Sequence, residues 1–204
     1  MPAAFAMTLS FASMPLTSPA PRTLHHTRRV AYRGYARADG LWDIEGELID
    51  SKPHDTRSLT DSSPRPADAP IHHMTIRATV DTALVVQAIE VSMDAYPLHE
   101  CPKARAALQG MVGCSMSRGW RRAIQEQLGG VASCTHLREL LFNMATAAFQ
   151  TIPNVFAISA PDVPPRHLGQ CAGWDTHGAG AKEHYPQFYG RDLPASGTAV
   201  PRKP

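Results

Sequence analysis

The hydrophobic period of this chain changes once, near Tyr96, and that change limits its fold more than any other feature. Before it, large apolar and polar residues alternate in RVAYRGYARAD (29–39), LWDIEGELIDSK (41–52), IHHMTIRATVD (71–81) and ALVVQAIEVSMDA (83–95). Period-2 alternation is the signature of half-buried strands. After Tyr96 apolar residues recur every three to four positions, as on one face of a helix. Strands first and helices afterwards point to an α+β fold: a small antiparallel sheet of two hairpins, three to five strands in all, packed against about three C-terminal helices.

Local signals place the breaks. Asp39-Gly40 is a hairpin turn, and Asp81-Thr82 begins a second one. Gly46 interrupts the alternation of Trp42, Ile44 and Leu48 and reads as a bulge. Residues 53–70, PHDTRSLTDSSPRPADAP, are a long loop by composition. Pro102 suits the first turn of a helix, and Ala104, Ala107, Leu108, Met111 and Val112 supply its apolar stripe. A short helix begins after Ser117 and ends at Gly129-Gly130, a C-cap signal. A longer one covers Thr135 to Thr151, with Leu137, Leu140, Leu141, Met144, Ala147 and Ala148 inward, and Pro153 stops it.

A length of 204 residues suggests one domain, drawn here as 28–190, with a flexible segment at 1–27 and a disordered tail at 191–204. Met14 opens MPLTSPAPR, a more ordinary start than the thirteen residues before it. The formal net charge of +2 offers no broad basic face, so no nucleic-acid partner is expected. No run approaches the roughly 18 apolar residues of a membrane span, and no Lys or Arg precedes Arg22 to form the charged region of an export signal. A cytoplasmic location is therefore expected. In that reducing setting Cys101, Cys114, Cys134 and Cys171 read as buried hydrophobes, metal ligands or nucleophiles rather than disulfides.

The stretch GGVASCTHLREL gathers a thiol (Cys134), an imidazole (His136) and a carboxylate (Glu139) at the start of the longest helix. Helix N-termini favour thiolates, so these three are the candidate catalytic residues. Cys101 stands at another helix start, and His72-His73 at the entry of a strand. No CxxC pair is present, yet element ends can converge, and zinc or iron accepts thiolate and imidazole ligands. His72, His73, Cys101 and Cys134 are thus the candidate metal ligands, with Cys171 as a lid ligand. A metal-free alternative places acid–base chemistry on the acidic row Asp43, Glu45 and Glu47, with His54 or His136. In either case the partner is a small-molecule substrate, which the metal or thiolate reading takes to be aromatic or acyl. A third class is a non-catalytic accessory protein that hands on metal or sulfur.

The segments DGLWDIEGELID, PIHHM and CTHLREL resemble a bacterial family known only as a domain of unknown function. The resemblance covers roughly residues 14–190 and implies no activity. Where that family would lead one to expect a histidine beside the last cysteine, this chain has CAGWDTHG. The order of sheet, Cys-initiated helix, connecting helix and Cys-initiated helix is also similar to iron–sulfur scaffold and sulfur-acceptor proteins. That likeness matches Cys101 and Cys134 to two of the three scaffold cysteines and sets His72 or His73 in place of the other.

Overall fold

The computed structural model describes residues 16–153, 162–165 and 167–193. Of the expected flexible segment 1–27, residues 1–15, with the Met14 opening, lie outside the described residues, as do residues 194–204 of the expected tail 191–204. Four antiparallel strands, β1 (Thr27–Ala36), β2 (Trp42–Ser51), β3 (His72–Val80) and β4 (Val86–Ala95), pair in chain order as a meander. Among the described residues four α-helices follow: the single turn α1 (Ala104–Ala107), α2 (Trp120–Leu128), α3 (Thr135–Thr151) and α4 (Ala179–His184). The chain is an α+β protein of two hairpins and helices, as its change of period indicated.

The sheet has one dry face. In β2 the even-numbered side chains Ile44, Leu48 and Asp50 are buried, and the odd-numbered ones stand half-exposed on the other side. Gly46 belongs to the buried row without a bulge, pairing in register with Tyr32 and Ile76. Its role is space: a Cβ there would lie 3.0 Å from the Tyr32 ring and 3.4 Å from Met144 Cγ. The irregularities fall instead on the β3–β4 pairing, at His73/Met74 and Thr79/Val80.

The opposite face carries the acidic row, and arginines from the neighbouring strands and from the turn after β1 meet it. Arg37 contacts Asp43 at 3.3 Å, Arg77 contacts Glu45 at 2.8 Å and Arg33 contacts Glu47 at 3.3 Å. The row is a solvated, ion-paired face.

Helix α3 covers the dry face. Its buried residues Leu137, Leu140, Leu141, Met144 and Ala148 meet Ile44, Leu48, Met74 and Ile76 in one core, and Ala147 is half-buried beside them. Helix α2 locks onto α3 through the Trp120 indole, which donates to the Leu141 carbonyl at 2.7 Å. The stripe from Ala104 to Val112 does not build one helix. It breaks into 3-10 turns at Cys101–Lys103 and Leu108–Met111 on either side of α1, though Leu108 and Met111 still enter the core. The segment 162–193, expected to be irregular or a hairpin, forms α4 and two 3-10 turns around Leu168, Ala181 and Phe188.

Candidate metal and thiol site

The dry face ends in polar residues at one edge. Arg28 of β1, Asp50 of β2 and His72 of β3 are direct cross-strand partners, Arg28 with Asp50 and Asp50 with His72. Pleating turns all three toward the helix layer, because each continues its strand's inward row. The start of α3 lies over them. Cys134 is its N-cap residue in extended conformation, His136 sits in the first turn, and Glu139 follows one turn later.

Asp50 is the centre of this group. Its side chain is only 3% exposed, and an ionised carboxylate so buried requires partners. The Arg28 guanidinium grips it with two bonds, Nε to Oδ1 at 2.8 Å and Nη2 to Oδ2 at 2.9 Å. His26 Nε2 lies 3.1 Å from Oδ1. His72 Nδ1 lies 3.1 Å from Oδ2, and His136 Nε2 stands 3.7 Å from the same oxygen. Burial pushes the Asp50 carboxyl up, but Arg28, His72 and His26 together hold it below the usual aspartate value. Arg28 also reaches Glu139 at 2.6 Å, tying β1 to the first turns of α3.

The two imidazoles lie face to face, their ring centroids 3.9 Å apart and tilted by 34°. Burial, and then the neighbouring His136, push the His72 pKa down. The Cys134 hydrogen bond pushes His136 up against the effect of its own burial. Cys134 Sγ is 3.5 Å from His136 Nδ1. Burial raises the thiol's pKa, yet the bond to His136 and the backbone N–H groups of Leu137 and His136 bring it below its ordinary value. The tautomer of His136 that carries its proton on Nδ1 donates to the sulfur and leaves the Nε2 lone pair for an ion beside Asp50; the other tautomer accepts from the thiol.

One donor atom each from Asp50, His72 and His136 lies within 4.8 Å of the other two, a group that can hold a metal ion. Two ligand atoms bound to one tetrahedral zinc stand about 3.3 Å apart, given bonds of about 2.0–2.1 Å. The 3.1 and 3.7 Å separations about Asp50 Oδ2 bracket that figure.

The structure thus brings together His72, Cys134, His136 and, through Arg28, Glu139. It sends His73 to the other face of the sheet, where Nε2 lies 3.1 Å from Glu47 and Nδ1 lies 3.9 Å from Asp94. Cys101 opens a 3-10 turn and packs against the main core, outside the close donor group. Cys171 is exposed in the C-terminal segment, Cys114 donates to the Gly110 carbonyl, and His54 meets His25 edge-on at 5.7 Å. Sequence reasoning missed Asp50, Arg28 and His26. For Asp50 a signal existed, since it is the next even-numbered residue after Leu48.

A meander sheet with a helix laid over it and an Asp/His/Cys cluster under that helix's first turn defines a small α+β protein with a buried polar centre. A family model described as a protein of unknown function (DUF2889) matches residues 26–150, more than half of the chain, and the protein belongs to that family. No curated protein and no solved structure matches it.

Proposed function

We propose that the protein binds one divalent metal ion through Asp50, His72 and His136 and uses it on a small molecule. The carrying observation is the convergence of a buried carboxylate and two imidazoles within 4.8 Å. Zinc suits the donor set and its spacing, and ferrous iron is the other ion that two histidines and one carboxylate favour. Three protein ligands leave a position for water or substrate, where the ion would polarise a carbonyl or lower the pKa of water. An acyl or aromatic carbonyl compound is the proposed substrate class.

Cys134 then acts beside the ion, fixing the tautomer of His136 through Nδ1, as ligating histidines commonly require. Arg28 orients Asp50 in the same manner. Elemental analysis of purified protein is expected to find about one zinc or iron per chain, and D50N or H72A to lose it. Metal-free wild type that takes up no ion on reconstitution would end this reading.

A second reading rests on a different feature of the same residues. Cys134, His136 and Asp50 stand in the order nucleophile, base and orienting carboxylate, at 3.5 and 3.7 Å. In that case Cys134 alkylates faster than Cys101 at neutral pH, H136A slows it, and chelators leave the rate unchanged. A rate for Cys134 no faster than that of Cys101 would exclude it.

A further inference from the structure

The donor group described above is one ligand short of a closed tetrahedral set, and a third imidazole stands against its carboxylate. His26 is the last residue before β1, carried on a lead-in, 16–26, that lies outside helix and strand. Its Nε2 lies 3.1 Å from Asp50 Oδ1, on the opposite oxygen from His72 and His136. The lead-in is held at a second point, for the neighbouring His25 ring packs edge-on against His54 of the 53–70 loop. Two consecutive histidines therefore fasten the same short segment, one to the loop that joins β2 to β3 and the other to the polar centre.

We infer that His26 is the fourth protein ligand of this centre, so that the resting ion is held by Asp50, His72, His136 and His26. The inference rests on the metal reading above. A small turn of the lead-in carries the ring from Oδ1 toward Oδ2, because no strand pairing fixes residue 26: the register of β1 with β2 begins at Thr27–Ser51. The side chain is 45% exposed and has room to move. Binding then closes the 16–26 segment across the edge of the sheet. His26 occupies the position that water or substrate takes in the open form, and its departure exposes the ion. The lead-in is in this way a strap whose buckle is a metal–histidine bond. Cys134 remains outside the ligand set, on the far nitrogen of His136.

Cobalt(II) titration of the metal-free protein provides the test, since its visible absorption reports coordination number. Wild type is expected to give the intense spectrum of a four-coordinate site. H26A is expected to bind at least tenfold more weakly with a weaker spectrum, as two waters take the place of one imidazole and raise the coordination number, and added imidazole is expected to restore the intensity. H73A, on the other face of the sheet beside Glu47, serves as the control that keeps the wild-type spectrum. Trypsin gives an independent readout, because Arg22 lies in the lead-in. Cobalt is expected to slow cleavage at Arg22 in wild type and not in H26A. A wild-type spectrum in H26A, or no rescue by imidazole, overturns the assignment of His26 while leaving a site that H72A still abolishes. If wild type itself takes up no cobalt, the metal reading falls and this inference falls with it.

Discussion

Asp50 shows how one side chain can be structurally costly and chemically central at once. A carboxylate 3% exposed would be strongly destabilising without the guanidinium and imidazoles around it. Its folded pKa is held below the ordinary 3.8. The stability it brings is therefore present in full above that value and is lost as pH falls through the lower folded value. His72 acts earlier with the same sign. Its folded pKa lies below 6.5, so the unfolded chain takes the proton first and stability declines as pH drops from 6.5. The raised pKa of the neighbouring His136 opposes this decline near pH 6.5. Urea unfolding of the metal-free protein at a series of pH values is expected to show the acid decline, and D50N is expected to reduce it, the remainder coming from carboxylates such as Glu47 that are also held low. Because the hydrogen bonds to Asp50 involve charged groups, D50N should also cost about 1–3 kcal/mol at pH 7. An unchanged acid limb in D50N would mean that other carboxylates set it.

The residues that sequence reasoning missed were hidden by where one strand was broken and another begun. Taking Gly46 for a bulge broke the parity of β2, and broken parity hides the residue after Leu48. With the alternation unbroken, Trp42, Ile44, Gly46, Leu48 and Asp50 form one row. Arg28 and His26 were lost because the first strand was started at Arg29, past the end of its inward row. His72 and His73 illustrate the same rule, since neighbours on a strand face opposite sides and only one of the pair could join a site on the dry face.

At the scale of elements, the site exists because α3 runs parallel to β1 at close range. Arg28 meets Glu139 near one end, and Gly34 meets Thr151 at the other. Six strand residues span roughly 20 Å and twelve helical residues about 18 Å, so the two elements stay matched along their length. Tyr32 adds a bond near the Glu139 end of the helix, its hydroxyl donating to the Leu140 carbonyl at 3.3 Å. The boundaries of α3 were legible because local chemistry sets them: Gly129 and Gly130 before, Pro153 after, and an unbroken apolar stripe between. Its docking was not legible, because it depends on an absent side chain. A Cβ on Gly34 would lie 2.0 Å from Thr151 Oγ1 and 2.6 Å from its Cβ. G34A is therefore expected to destabilise by about 1–3 kcal/mol, the usual range for overpacking, and to loosen Cys134 and His136 over the sheet. Pairing it with T151G removes the three nearest atoms in conflict, so the double variant should recover much of the loss in thermal unfolding. A G34A variant as stable as wild type would show that the helix end shifts freely and does not fix the site.

At the scale of the whole molecule, the two apolar clusters among the described residues differ greatly in size. The larger runs through the sheet, α2 and α3 to Ile152. The smaller consists of Leu168, Ala181 and Phe188, with Trp174, Tyr185 and Leu193 around them. Backbone bonds of the C-terminal segment close within it, as in Gly169 to Trp174 and Gly190 to Thr176. The family match ends at residue 150, within the last turn of α3. Every residue of the donor group, His26 included, lies before that point. So small an apolar cluster cannot hold a segment of this size, since chains below about 40 residues usually need a disulfide, a metal or a partner. The dependence between the two clusters is accordingly one-sided. A chain truncated after Pro153 is expected to keep a cooperative melt and the cobalt affinity of the full protein, whereas a peptide of residues 162–193 is expected to show no cooperative unfolding. Circular dichroism of both pieces, with a cobalt titration of the first, checks this. Loss of cobalt binding on truncation, with the melt intact, would instead place a C-terminal residue such as Cys171 at the centre.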